Sequence, residues 1–298
     1  MGKKIIVFSI AALLLLVAGM SLGKILSPEP AVLSGGSAIG VIEVNGIISG
    51  DASDSLLGGT TGISSRKVME NIRLAAERDD IKAVILRINS PGGTTAASQE
   101  IGIELDRLRE TGKPIITSMS DTCASGGYWI ACSTDHLVAN AGTLTGSIGV
   151  IMEITNLQGL YEKLGIDSIT FKSGKFKDMG SATRPVTEEE RQLFEDIIED
   201  SYDQFFTQVL NGRQGKISAD KLREIADGRV LTGQQALELG LVDSLGNYYD
   251  AIKVAEKMAD LPEGTRVEII GSQNFFDRLM LQVKTPELLK SLDLIQIK

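Results

Sequence analysis

The sequence predicts an α/β fold, and three observations carry that expectation. Ala83-Val84-Ile85-Leu86 is an unbroken apolar run. A strand that does not alternate is buried on both faces, as in a parallel sheet. Strand-like and helix-like segments then take turns from residue 81 to residue 139, the order of an α/β chain. Finally, three glycine-rich loops follow strand-like runs: Ser90 to Gly93, Ala124 to Gly127 and Gly142 to Gly149. In open α/β sheets, binding and chemistry collect in the loops after the carboxyl ends of strands.

Taken in order, the chain opens with Lys3 and Lys4 and then an apolar run over residues 5–22. About 18 helical residues nearly span a ~30 Å hydrocarbon core. No Ala-x-Ala-like cleavage site follows, so the expectation is an uncleaved anchor over 1–24. The positive-inside bias would keep the two lysines in the cytoplasm and place the bulk of the chain outside the cell membrane. Residues 25–37 read as a linker by their Pro, Gly and Ser content.

Residues 38–48 alternate apolar residues with Gly and Glu and predict a strand. The Gly-, Ser- and Asp-rich stretch 51–61 predicts a mobile loop. Val68, Ile72, Ala75 and Ala76 recur at helical spacing over 65–78. A strand over 81–88, a helix over 96–109 and a strand over 114–119 follow. A small-residue turn, Thr122-Cys123-Ala124-Ser125-Gly126-Gly127, leads into a helix starting at Tyr128. Further strands are expected at 136–139, 148–153 and 169–171. Thr187 and Glu190 form a capping box for a helix that Asn211-Gly212 would stop. Shorter helices are expected at 219–226, 233–239 and 249–258, with Gly240 ending one of them. Residues 38–260 are therefore read as one domain and 261–298 as a tail.

Composition narrows the chemistry. The 298 residues carry 39 Asp and Glu against 30 Lys and Arg, a net charge of −9. Nucleic-acid binding, which needs basic residues in excess, is not expected. Two cysteines, Cys123 and Cys132, offer no metal-ligand spacing and a doubtful disulfide, and no cofactor is implied. The single histidine, His136, lies at a strand start and reads as structural rather than as a catalytic base.

Ser125 is the candidate nucleophile. A sharp turn between strand and helix exposes its hydroxyl beside amides that lack helical partners, which suits an oxyanion-forming attack. Cys123 is a rival two positions earlier. Beside His136, a buried lysine is the other common option for the base. An ammonium has a reference pKa of about 10.4, which desolvation lowers. Lys172, Lys175 and Lys177 cluster in one stretch that, by itself, looks like a solvated loop.

The motifs together resemble the signal peptide peptidase A family. They are Asn89-Ser90-Pro91-Gly92-Gly93, Ala124-Ser125-Gly126-Gly127-Tyr128, Thr143-Leu144-Thr145-Gly146-Ser147-Ile148-Gly149-Val150, and Lys172-Ser173-Gly174 with Lys177-Asp178. Ala226-Asp227-Gly228-Arg229-Val230 and Leu241-Val242-Asp243 fit as well. The resemblance covers residues 38–258 in a short, single-repeat form. It implies a membrane-anchored serine protease with a Clp protease/crotonase-like fold of repeated ββα units and added C-terminal helices. It implies Ser125 as nucleophile, Lys177 as general base and Ser147 orienting the amine. The backbone N–H groups of Gly92 and Gly126 would form the oxyanion hole, with Gly93 the alternative in the first loop. Lys172 and Lys175 remain rivals for the base. The family's ring-shaped homo-oligomers imply that Lys177 serves Ser125 of a neighbouring subunit. Substrates would be cleaved signal peptides and other membrane-associated peptides. A crotonase-type acyl-CoA enzyme and a catalytically silent membrane scaffold are the alternatives; neither needs the Ser125, Ser147 and Lys177 set.

Overall fold

A computed structural model of the chain describes residues 36–51 and 62–271. The expected anchor, nearly all of the linker, the 52–61 part of the expected loop and the tail beyond residue 271 lie outside the described residues. Among the described residues, no helix is long and apolar enough to cross a membrane.

The centre of the fold is a mixed α/β unit. Five strands run side by side in parallel with a sixth: β1 (Ala38–Asn45), β4 (Ile81–Ser90), β5 (Ile115–Ala124), β6 (His136–Ala139), β9 (Ser244–Leu245) and β10 (Arg266–Ile269), in the order β10-β1-β4-β5-β6-β9. A small parallel pair, β2 (Ile47–Ser49) with β3 (Gly62–Ser64), stands apart from this sheet. The expected strand over 38–48 is thus two strands, broken at Gly46, whose φ is +82°.

The sheet is buried on both faces, as the apolar run in β4 predicts. Val84, Leu86 and Ile88 join the larger core with α1 (Ser65–Glu77) and α2 (Thr95–Glu110). Ala83 and Ile85 pack on the opposite face with Ala251 and Ala255 of α8 (Tyr248–Met258). The period-2 alternation of side chains across the sheet sends neighbours in sequence to different cores.

The parallel pairing places three strand ends together. The register of β5 on β4 slips between Ile88↔Met119 and Ser90↔Cys123. The Asn89 side chain stabilises this slip: its Oδ1 accepts the Thr122 N–H at 3.2 Å. Beyond the slip, β5 leaves β6 and pairs with β7 (Leu144–Gly146), which in turn pairs antiparallel with β8 (Val230–Thr232). The strand therefore runs on through Thr122, Cys123 and Ala124, residues that read as a turn in the sequence. Only Ser125 separates it from α3 (Gly126–Ala131).

Two expected strands are absent. Residues 148–153 and 169–171 are irregular; Ile148 is buried, but Ile151 is 91% and Phe171 93% accessible. Their apolar side chains imitate a buried strand, but among the described residues no strand pairs with them. A helix that periodicity did not reveal, α4 (Gln158–Leu164), lies between them. From there the helices match expectation closely: α5 (Glu188–Gly212), α6 (Ala219–Ile225), α7 (Gly233–Glu238) and α8. The Thr187–Glu190 capping box is formed in both directions.

Candidate active site

The tips of β4, β5 and β7 meet at a cleft of about 570 Å³. It is lined by Gly93, Ser98, Ser125, Trp129, Ser147 and Asp227, among others. Ser125 sits at the tip of β5 with φ +51° and ψ −124°. Among the described residues only three non-glycines have positive φ, and Ser125 and Ser147 are two of them. Such backbone costs on the order of 1–3 kcal/mol and persists only where surrounding contacts impose it. Here the contacts are main-chain: the Ser125 N–H donates to Gly146 O and the Ser147 N–H donates to Arg229 O, both at 2.9 Å. The Ala226-to-Val230 motif thus holds the Ser147 loop from behind, and Gly228 N–H adds a bond to Ile148 O at 2.9 Å.

The loop after β4 brings amide donors to Ser125. Gly92 has φ +118°, and a Cβ there would lie 2.7 Å from the Ser125 Cβ. Gly93 passes so close to β2 that a Cβ would meet Ile48 O at 1.9 Å. No larger residue fits either place. The Gly92 N–H donates to Ser90 Oγ at 3.1 Å. The N–H groups of Gly93 and Gly126 donate to no protein acceptor among the described residues. They lie close together, since a Cβ on Gly126 would fall 3.1 Å from Gly93 N. The role of Ser90 in occupying the Gly92 amide is not visible from the motif, although Ser90 is part of it.

The other titratable candidates are placed elsewhere. Cys123 is fully buried, its Sγ directed at Gly127 O at 3.4 Å, and burial pushes its thiol well above the ordinary range. A thiol held protonated is a poor nucleophile. His136 lies away from the cleft, its Nε2 3.0 Å from Ser244 Oγ, and burial lowers its pKa. A second cavity of about 580 Å³, between the ends of α2 and α5, contains Arg109 and Cys132. Arg109 there is paired with Asp106 and Asp135, and burial pushes the Cys132 thiol up to about 12.

Among the described residues, no lysine lines the Ser125 cleft. The three candidate bases lie in an exposed segment, and their surroundings differ. Lys172 Nζ donates to Asp178 Oδ1 at 2.6 Å and to Lys175 O at 3.0 Å. Lys175 is paired with Glu189. Lys177 is exposed and has no ion pair among the described residues. Trp129 and Phe205, packed with ring centroids 5.1 Å apart and planes tilted by 33°, also line the cleft. Sequence reasoning missed Phe205, which α5 supplies from 80 positions further along.

Residues 107–262 match peptidase family S49. A putative protease of Synechocystis sp. is 42% identical over 71% of this chain and 76% of its own length. A putative signal peptide peptidase SppA of Enterococcus faecium is 37% identical over 76% of this chain and 65% of its own. Protease 4 of Haemophilus influenzae is 34% identical over 80% of this chain, which spans 38% of that relative's length.

Proposed function

The chain belongs to peptidase family S49 and is a serine peptidase, and from that premise we propose that Ser125 is its nucleophile and Lys177 of a neighbouring copy its general base. One observation carries the first half. Ser125 is held in a strained conformation beside two amide N–H groups, of Gly93 and Gly126, that have no other acceptor among the described residues. In this reading the uncharged Lys177 amine takes the Ser125 hydroxyl proton as Oγ attacks the scissile carbonyl carbon. The carbonyl oxygen becomes an oxyanion and accepts from Gly93 and Gly126. The C–N bond then breaks, the leaving amine takes the proton from Lys177, and water releases the acyl group by the same route. Ser147 Oγ orients the amine. Gly93 replaces Gly92 in the oxyanion hole because the Gly92 amide is already bonded to Ser90.

Supply of the base by another copy is supported by three features. Among the described residues no lysine lines the cleft, Lys177 is exposed, and the segment before it presents Ile151, Ile169 and Phe171 to solvent. The resulting assembly would be a ring of identical subunits. The parallel sheet with chemistry at its strand ends supports the Clp protease/crotonase-like reading of the fold. The substrates proposed are signal peptides and other membrane-associated peptides. The apolar run at 5–22 and the signal peptide peptidase named in Enterococcus faecium support this. The run would anchor the protein in the cell membrane, with the catalytic domain outside.

The test is covalent labelling with a fluorophosphonate probe. Wild-type protein is expected to be labelled on Ser125, Ser125→Ala not at all, and Lys177→Ala only weakly. Labelling that survives in Ser125→Ala removes the assignment.

A further inference from the structure

The residue next to the proposed base is a carboxylate, and its position raises a chemical problem. A general base must be uncharged when it accepts a proton. A carboxylate paired with an amine stabilises the charged ammonium and opposes that. Asp178 follows Lys177 directly, yet no Asp178–Lys177 pair forms. Arg184 holds both Asp178 oxygens, Nε to Oδ2 at 3.0 Å and Nη2 to Oδ1 at 2.9 Å. Lys172 adds a third contact to Oδ1 at 2.6 Å. The same guanidinium reaches Glu190, with Nη1 to Oε2 at 2.9 Å, and Glu190 closes the cap of α5 through the Thr187 N–H at 3.0 Å.

The other charges from Lys172 to Glu190 are also matched. Glu189 is held by Lys175, and Glu188 by Arg191 at 3.5 Å. In the cleft, where the amine of another copy would enter, Asp227 is held by Arg229 at 2.6 Å. Lys177 is left as the one lysine of the cluster without a counter-ion among the described residues. Resting on the reading of Lys177 as base, we propose that Arg184 is a positioning residue for catalysis. It sequesters Asp178 from the Lys177 amine and pins the lysine-bearing segment to the start of α5. Arg184 first, then Lys172, hold the Asp178 carboxyl well below its usual range, so it stays a tightly engaged anion across the working pH.

The test measures kcat and KM against pH for a soluble peptide, with the full chain in detergent. Arg184→Gln frees Asp178 to pair with Lys177. The rising alkaline limb of kcat is expected to move to higher pH, lowering kcat near neutrality about tenfold while KM changes less than about twofold. Removing the freed carboxylate in Arg184→Gln/Asp178→Asn is expected to return the limb toward wild type, which a merely structural loss would not do. Asp178→Asn alone and Arg184→Lys are expected to keep the wild-type limb, and they decide the matter if Arg184→Gln does not fold. An unmoved limb in Arg184→Gln overturns the proposal. So does a double variant no better than the single one, or a limb moved to lower pH in Asp178→Asn. Full activity in Lys177→Ala instead overturns the assignment of the base and leaves the charge geometry as it stands.

Discussion

The two halves of the proposed site are built in opposite ways. Ser125 stands on β5, whose flanking strands are buried on both faces, and its backbone is held by bonds to Gly146 and, through the Ser147 loop, Arg229. Lys177 lies in a stretch where no residue from 149 to 189 is buried. Ion pairs to Arg184 and a few turn hydrogen bonds shape that stretch instead. The contrast teaches where each kind of precision comes from. A nucleophile and its amide donors need sub-ångström placement, which a close-packed core supplies. In the proposed site, the base sits on a segment with no buried residue among the described residues, and a surface of a neighbouring copy would place it.

The sharpest way to break the comparison is to separate the halves genetically. Ser125→Ala and Lys177→Ala chains, each inactive alone, are mixed under conditions that allow subunit exchange. If the dyad forms between copies, random mixing recovers about a quarter of wild-type peptide cleavage per site. Recovery of nothing, after verified exchange, would place both residues in one chain's site.

A smaller effect, on stability, is expected in the buried half. Arg213 is 1% exposed and is held by Asp243 through two contacts of 2.9 Å. Asp243 also accepts the Leu137 N–H at 2.8 Å, tying β6 to the end of α5. Asp243→Ala leaves a buried guanidinium uncompensated, and a loss of about 3–5 kcal/mol in urea unfolding is expected. The sign with pH follows. Burial raises the Asp243 carboxyl, but Arg213 and Lys216 outweigh it and leave it below its ordinary value. Its stabilisation is therefore present above that ordinary value and is lost on acidification.

The smallest effect on folding is expected in the exposed half. Phe171→Ser removes a side chain that is 93% accessible. Unfolding free energy of the isolated subunit is expected to change by no more than about 0.5 kcal/mol. Sedimentation should nonetheless show weaker self-association. A stability loss of several kcal/mol would mean that Phe171 is packed within its own chain after all.

Much of this was legible in the residues. The Ala83-to-Leu86 run declared a sheet covered on both sides, and the Thr187–Glu190 pair declared where α5 begins. The motifs pointed to the three loops that do converge. Other features were not legible. Ile148-to-Glu153 and Ile169-to-Phe171 read as strands because apolar content alone does not distinguish burial in a core from exposure awaiting a partner. Thr122 to Ala124 read as a turn because the register slip that extends β5 depends on Asn89, 33 positions away from Thr122. In the proposed oxyanion hole, the choice between Gly92 and Gly93 turned on where the Ser90 hydroxyl lies.

By itself, then, the sequence determined the local matters: which segments are helix or buried strand, and which small residues stand at the strand ends. Propensity, periodicity and capping act between residues a few positions apart, so they survive in a one-dimensional reading. Only the tertiary structure decided which amides and which lysine lack partners among the described residues, and which thiol is sealed away. Each of those depends on atoms brought together from distant parts of the chain, and hydrogen-bond and charge accounting closes only when all of them are in place.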